Sequence, residues 1–524
     1  MIILPYAEIR EPFKAYFDSE NSRSRVDYYG DLVQTVQRED VDLGQDVQGV
    51  NYRISYMVNQ MGVPERVCFQ VNGSSDSPIR AQNVIPDLEG FEYQGRDFCP
   101  DWYGNIVTTG PQECQKWTKV ATFNEKESRY TFWSKLDAHQ RHIPVHYLMM
   151  GYNNLFGSHF DEYRVAYKNY QVQAQIGADV FTFVENYSCR SFPGPGNDHV
   201  STHNPIKEFI HGHDQHIEKD FESFKEKHGK NYQEKSEEEE RKANFRHNHR
   251  FIHSMNRKNK KYQLKINHMS DFSTGELKML RGRLRSSGYN GGQVFKQRNA
   301  DAHIPEYHDW RLFGAVNPVK DQAVCGSCWS FGTSGTIEGQ YFVKTGHLVR
   351  LSEQQLIDCS WQEGDNGCNG GEDFRAYQYI MKAGGIALND VYGGYIGQDG
   401  KCHDHAVPKA VQLAGWVNVT QYNPSALQAA IFENGPVTVA INANPRTFTF
   451  YSHGVYSDPA CKGTPDDLDH QVLAVGYGVI NGEKFWLIKN SWSTYWGNDG
   501  YVLISQRNNM CGVTTDATFP LIKL

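Results

Sequence analysis

The eleven cysteines of this 524-residue chain constrain its fold more than any other feature, because they divide unevenly. Cys68, Cys99, Cys114 and Cys189 form an upstream set of four, and the other seven run from Cys325 onward. An even set and an odd set predict paired disulfides plus one free thiol, and so an oxidising compartment. Sequons at Asn72, Asn186 and Asn418 agree with N-glycosylation. The opening MIILPYAEIR has no basic region ahead of its short apolar run, and no apolar stretch approaches the roughly 20 residues of a membrane span. The expectation is a lysosomal or secreted protein whose signal sequence is not present in this sequence.

With 39% apolar and 13% aromatic residues the chain can build packed cores, and its length suits roughly three domains of ~150 residues. Residues 1–192 alternate polar and apolar side chains in stretches such as RVCFQV, RYTFWSKL and VFTFVENY, which predicts a β-rich domain. FPGPGND opens a Pro/Gly linker over 193–206. Residues 207–302 are charged and helical around KSEEEERKANFRHNHRFIHSMN, and they end in RGRLRSSGYNGG, a strip that invites proteolysis. Within this stretch HGHDQH, at 211–216, reads as a solvated stretch rather than a metal site. Residues 303–524 are denser in Trp, Gly and Cys, with mixed α and β patterning. Segment 207–302 has 21 Lys and Arg against 14 Asp and Glu, net +7; segment 303–524 has 14 against 21, net −7. Opposite charge predicts that the basic segment docks on the acidic domain. No nucleic-acid partner is expected.

QAVCGSCW, residues 322–329, holds two cysteines three apart. Such a pair is a redox dithiol, half of a zinc site, or a nucleophile beside a structural cysteine. A redox pair needs a thioredoxin-like setting and zinc needs a second ligand pair, for which the candidates are poor. A nucleophile needs a base, an orienter for the base and an oxyanion donor, all of which are available farther along. After Cys328, Trp329, Ile337, Tyr341 and Phe342 fall at helical spacing up to Gly346, which puts Cys328 at a helix N-terminus, where the dipole favours thiolate. DHQVLAVGYGVINGEKFWLIKNSW predicts two strands joined at Asn481-Gly482. Pairing residues whose numbers sum to about 963 sets Asn490 opposite residue 473, roughly 10 Å from His470. One bulge or side-chain reach closes that gap.

These motifs resemble the papain family of cysteine proteases, nearest its cathepsin L branch, over residues 207–524. QAVCGSCW matches the active-site signature, DHQVLAVGYG the catalytic histidine segment, and NSWSTYWGNDGY the asparagine and its shielding indole, Trp492. Glu237, Arg241, Phe245, Asn248, Ile252 and Asn256 match the family's propeptide helix. The resemblance implies an α+β fold: a two-lobed protease, one lobe helical and one β-barrel-like, preceded by a helical inhibitory propeptide and the β-rich amino-terminal domain. It implies Gln322, Cys328, His470 and Asn490 as the catalytic set, acting through an acyl-enzyme with no metal or cofactor. It pairs Cys325 with Cys368, Cys359 with Cys402 and Cys461 with Cys511, and leaves Cys328 free. Substrate would lie against Gly370, Gly371, Glu372, Asp373, Ala440, Leu468, Asp469, Trp492 and Asp516. Three acidic residues among the walls and floor of the specificity pocket, Glu372, Asp373 and Asp516, predict acceptance of Arg or Lys at the second position before the cleaved bond.

The resemblance is incomplete in two places. The motif after the propeptide helix, usually Gly-x-Asn-x-Phe-x-Asp, has Lys265 and Met269 in place of its Gly and Phe, while Asn267 and Asp271 remain. Residues 1–192, with SRSRVDYYGD and the GPG linker, resemble the amino-terminal part of the insect 26-29 kilodalton type of protease. The expected partners are protein and peptide substrates, the chain's own propeptide, and cystatin-like inhibitors. An exopeptidase whose cleft is blocked by the extra domain, and a silent binding protein on the same fold, are the rival readings.

Overall fold

The computed structural model describes residues 1–41, 44, 47–59, 63–102, 113–123, 126–154, 157–172, 175–191, 204–211, 215–298 and 303–524. Most of the linker, and residues 212–214 of the histidine-rich stretch, lie outside the described residues; at His216 the solvated reading is corrected, because its side chain is only 11% exposed and lies beside Glu208. The chain divides into two compact units, Met1–Met57 with Pro64–Lys260, and Val58–Val63 with Lys261–Leu524. The division falls inside segment 207–302, just after its longest helix.

Period-two patterning in the first unit becomes two sheets among the described residues, except at VFTFVENY, which is corrected to helical turns, Asp179–Thr182 and Phe183–Asn186, with Phe181 and Val184 turned inward three residues apart. One has seven antiparallel strands in the order Ile9–Glu11, Ile2–Leu4, Ser158–Ala166, His142–Asn153, Lys126–Leu136, Glu113–Phe123, Glu92–Phe98. The other has six, from Phe13–Asp18 to a short strand, Arg190–Ser191, that runs parallel to Pro64–Asn72. The upstream cysteines pair as Cys68–Cys189 and Cys99–Cys114. Helices α1 (Gln215–His228) and α2 (Lys235–Lys258) complete the unit. They pack through Phe221, Phe224 and Phe245, with ring centroids 5.0–5.4 Å apart across the helix pair. Phe245, Asn248 and Ile252, three and then four residues apart, are all buried, as a single helical face must be.

The second unit is built on a ten-stranded sheet among its described residues. One edge is Tyr262–Leu264, antiparallel to Tyr451–Tyr456, and the other is Gln293–Val294, parallel to Gln412–Asn418. Both edge strands come from segment 207–302. Against this sheet packs a helical core around Trp329, Ile337, Leu356, Tyr377 and Ile380, closed by the Cys325–Cys368 and Cys359–Cys402 disulfides; Cys461–Cys511 ties the sheet side. No helix among the described residues is long and apolar enough to cross a membrane.

Candidate active site

Cys328 is the first residue of helix α3 (Cys328–Thr345), which ends at Gly346 in the left-handed region with φ 75°. Glycine takes that conformation without the steric cost of a Cβ, so the helix stops there. The Cys325–Cys368 disulfide fixes the loop before the helix, and Cys328 is the free cysteine, fully buried.

The hairpin is formed by β1 (His470–Ile480) and β2 (Glu483–Lys489), turned at Asn481 and Gly482 with φ 50° and 75°. Near the turn the pairing follows the expected register, Ile480 with Glu483 and Gly476 with Leu487. A bulge between Ala474 and Gly476 then shifts it by one, so that Leu473 pairs with Lys489. That shift moves Asn490 one residue closer to His470, and His470 Nε2 lies 2.8 Å from Asn490 Oδ1. The Trp492 ring covers this pair, 4.7 Å from the imidazole, and is backed by Phe448 and Trp496.

Gln322 is fully buried, its Oε1 accepting from the Ser491 hydroxyl at 2.8 Å and its Nε2 donating to the Cys325 carbonyl at 2.7 Å. Its Nε2 also donates to the carbonyl of Leu280 at 3.1 Å. The side chain is therefore aimed with no freedom to rotate away. A polar donor, a free thiol at a helix N-terminus and an oriented imidazole are thus held by three separate elements.

Residues 304–521 match the family described as papain family cysteine protease, and residues 221–277 match the cathepsin propeptide inhibitor domain (I29). Digestive cysteine proteinase 2 of Homarus americanus is 40% identical over 308 residues, 58% of this chain and 94% of that protein. Procathepsin L of Rattus norvegicus is 41% identical over 296 residues, 55% of this chain and 87% of that one. The chain belongs to the papain family of cysteine proteases. The solved structure of digestive procathepsin L 3 from Tenebrio molitor larval midgut superposes with a TM-score of 0.53 at 34% identity, covering 58% of this chain and 99% of that one.

In this papain-family protease, residues 280–286 cross the cleft. Leu280 approaches His470 and the Gly282 backbone approaches the Cys328 thiol. The Gly282 carbonyl accepts from the Gly371 N–H at 2.9 Å, and the Leu284 N–H donates to the Gly371 carbonyl at 3.0 Å, in parallel pairing. A Cβ on Gly282 would collide with the Gly326 carbonyl, so only glycine passes this point. Gly370 has φ 117° and a side chain on it would meet the Gly282 carbonyl, whereas a side chain on Gly371 would strike the Trp329 ring.

The three acidic positions of the expected pocket separate in the structure. Asp516 pairs with Arg283, whose side chain is only 5% exposed and also donates to the Leu468 carbonyl at 3.4 Å. Glu372 instead takes Arg375 at 3.1 Å and the Ser286 N–H at 2.9 Å. Asp373 turns into the core, accepting from Thr518 Oγ1 at 2.6 Å and Gln471 Nε2 at 3.2 Å. Asp516 thus takes its cationic partner from 233 residues away in sequence, beyond the reach of local reading. Ala440 is buried and its N–H donates to the Asp516 carbonyl at 2.9 Å; the Asp469 carbonyl accepts from Arg283 N–H at 3.0 Å.

Electrostatics fit a covered site. Burial pushes the Cys328 thiol up to about 11. Burial also lowers His470 to about 4, with Asn490 opposing and the Arg281 charge reinforcing. Both shifts favour a neutral thiol and neutral imidazole while the segment is in place.

The remaining positions are accounted for individually. Lys265 reaches the Gly497 carbonyl at 2.8 Å and Met269 is buried, while Asn267 Nδ2 donates to the Thr449 carbonyl at 2.9 Å. Asn72 and Asn186 are exposed. Asn418 is half-buried and its side-chain amide donates to Asn290 Oδ1 at 2.7 Å, so a glycan there requires segment 290–294 to be displaced.

Proposed function

We propose that this cysteine protease is an endopeptidase made as a zymogen, with Cys328 as nucleophile, His470 as acid and base, Asn490 as orienter of His470, and Gln322 as oxyanion donor. The observation that carries the assignment is the His470–Asn490 bond under Trp492, set beside a free thiol that opens a helix. Asn490 occupies Nε2, and Nδ1 makes no hydrogen bond among the described residues, so it is the nitrogen left to exchange a proton. The Cys328 thiolate adds to the scissile carbonyl carbon while Gln322 Nε2 and the Cys328 N–H hold the oxyanion. His470 gives its proton to the leaving nitrogen as the C–N bond breaks. It then takes a proton from the water that cleaves the thioester, returning Cys328 and an acid product.

In this reading residues 207–302 are the inhibitory propeptide, and residues 303–524 the protease. Segment 280–283 meets Gln322 first and the Asp516 pocket later, opposite to a substrate whose residues before the cleaved bond fill that pocket. Arg283 then stands where the second such residue of a substrate would, and substrates with Arg or Lys there are accepted. Residues 1–192 are proposed as a domain of the insect 26-29 kilodalton type, joined by the linker 193–206, in a protein of lysosomal or secreted location. Glycans on Asn72 and Asn186, and sensitivity to cystatin-like inhibitors, belong to the same reading.

The test is titration of the processed enzyme with a thiol-reactive peptide epoxide, together with cleavage of an internally quenched peptide blocked at both ends. One label per chain on Cys328 and cleavage of the blocked peptide are expected. Labelling without cleavage points to an exopeptidase, and no labelling overturns the assignment.

A further inference from the structure

The sheets of the first unit are fastened to helix α2 by charges that are buried on both sides. Arg250 makes two hydrogen bonds to Asp161, at 2.7 and 3.0 Å, and a third to Glu208 at 2.8 Å. Arg257 bonds Glu11 at 2.8 Å, and Ser254 links the same carboxylate at 2.9 Å to the Tyr29 hydroxyl at 2.6 Å. Glu11 and Asp161, 1% and 3% exposed, stand on strands, so a helix that leaves strands two buried carboxylates. Removing one partner of such a pair costs several times what the pair itself contributes.

Beside these pairs three imidazoles come together. His249 packs on His253 at 4.3 Å and faces His216 of α1 at 5.9 Å. Asp220 lies 3.0 Å from His249 Nε2, and Glu208 lies 3.8 Å from His216 Nε2. Arg53, from strand Val50–Val58, and Arg257 add positive charge around His253, and Arg250 around His216. Protonating this group places new cations among existing ones.

We propose that the amino-terminal β unit functions as the holder of the inhibitory helix Lys235–Lys258, and that the His216–His249–His253 cluster makes this hold acid-labile. The proposal rests on reading residues 207–302 as the inhibitory segment.

The titration runs in the required direction. Burial, with His249, Arg257 and Arg53 adding to it, lowers His253 well below the ordinary imidazole range, and burial lowers His216 as well. A histidine depressed on folding contributes stability above its unfolded value, about 6.5, and that stability is lost as pH falls below it. Burial works to raise Asp161, but the Arg250 charge overrides it and brings the carboxyl to about 2. The Arg250–Asp161 pair therefore persists while His216 and His253 titrate, which opens the window below about pH 6.5.

Hydrogen exchange on the full chain, with Cys328→Ser to prevent self-cleavage, tests this. Amide protection across residues 235–258, corrected for intrinsic rates, is expected to fall at least tenfold from pH 7 to pH 5, while strand Lys126–Leu136 stays protected. The double variant His216→Gln, His253→Gln is expected to flatten that fall, and Asp161→Asn to lower protection already at pH 7. A flat wild-type profile, an equal fall in the strand, or an equal fall in the double variant overturns the proposal. Should the double variant not fold, the wild-type series decides alone, with the midpoint of ring titration by NMR required to match the loss of protection. Exchange needs no catalysis, so a released helix in a protein that never cleaves peptide counts against the protease reading and not against this one.

Discussion

Arg283 and Asp516 form an ion pair, and the arginine follows Gly282, whose backbone approaches the Cys328 thiol. A hydrogen bond to a charged group contributes roughly 1.5–3 kcal/mol, which corresponds to about 10- to 150-fold in affinity. Asp516→Ala is expected to lower the kcat/KM ratio of Arg over Leu substrates at the second position by at least about tenfold. A citrulline substrate, equal in shape and uncharged, is expected to behave like the mutant with arginine. Arg and citrulline cleaved equally well by the wild type contradict the pairing.

Gly282 lies so close to the Gly326 carbonyl that a Cβ there would collide with it. Gly282→Val forces the segment away, at an overpacking cost of roughly 1–3 kcal/mol. The uncleaved precursor of this variant is expected to hydrolyse a small peptide substrate at neutral pH about 5- to 150-fold faster than the wild-type precursor. Stopped reactions on precursor whose intact mass is verified provide the comparison.

With the segment in place, a thiol near 11 is ionised in only about one molecule in ten thousand at pH 7. Alkylation of Cys328 in the precursor is expected to be at least about a hundredfold slower than in the processed enzyme, and to accelerate as pH rises. Asn490→Ala frees the imidazole to turn, and is expected to cost the processed enzyme about a hundredfold in kcat with a smaller change in KM. A loss confined to KM runs against the orienting role.

Two buried carboxyls predict how the catalytic unit responds to pH. Burial raises Asp365 to about 8, and burial together with the Asp516 charge raises Asp373 to about 7. Each is raised above its unfolded value near 3.9, so the folded state holds more protons between these values, and stability falls as pH rises through that window. The Tm of the processed enzyme is expected to be higher at pH 5 than at pH 8, and Asp365→Asn to reduce the difference. Calorimetry at the two pH values, in wild type and variant, measures it.

The sequence made the nucleophile and the hairpin legible because both rest on local rules. Helical spacing ending at Gly346 fixes where Cys328 stands, and Asn481-Gly482 fixes where the strands turn. The bulge near Ala474 is the part that local pairing leaves undetermined, and it accounts for the last residue of offset between His470 and Asn490. Adjacency in sequence said nothing of how Glu372 and Asp373 diverge: the first begins a helix and meets Arg375 one turn on, and the second faces strand residues Gln471 and Thr518. Arg257 and Glu11 lie 246 residues apart, and such pairs carry no periodic signal. The grip of the β unit on helix α2 therefore appears only in three dimensions.

The covering segment is anchored at both ends, by Tyr262–Leu264 on one edge of the sheet and Gln293–Val294 on the other, with the cleft crossed in between. A single cut in the strip after Arg281 changes the molecularity of inhibition rather than abolishing it. Before the cut each half is held at the effective molarity set by a short tether; afterwards the downstream half remains tethered to the protease, while the upstream half is held by its own contacts alone. Recovery of activity then depends on dilution, slow in a small volume and fast in a large one.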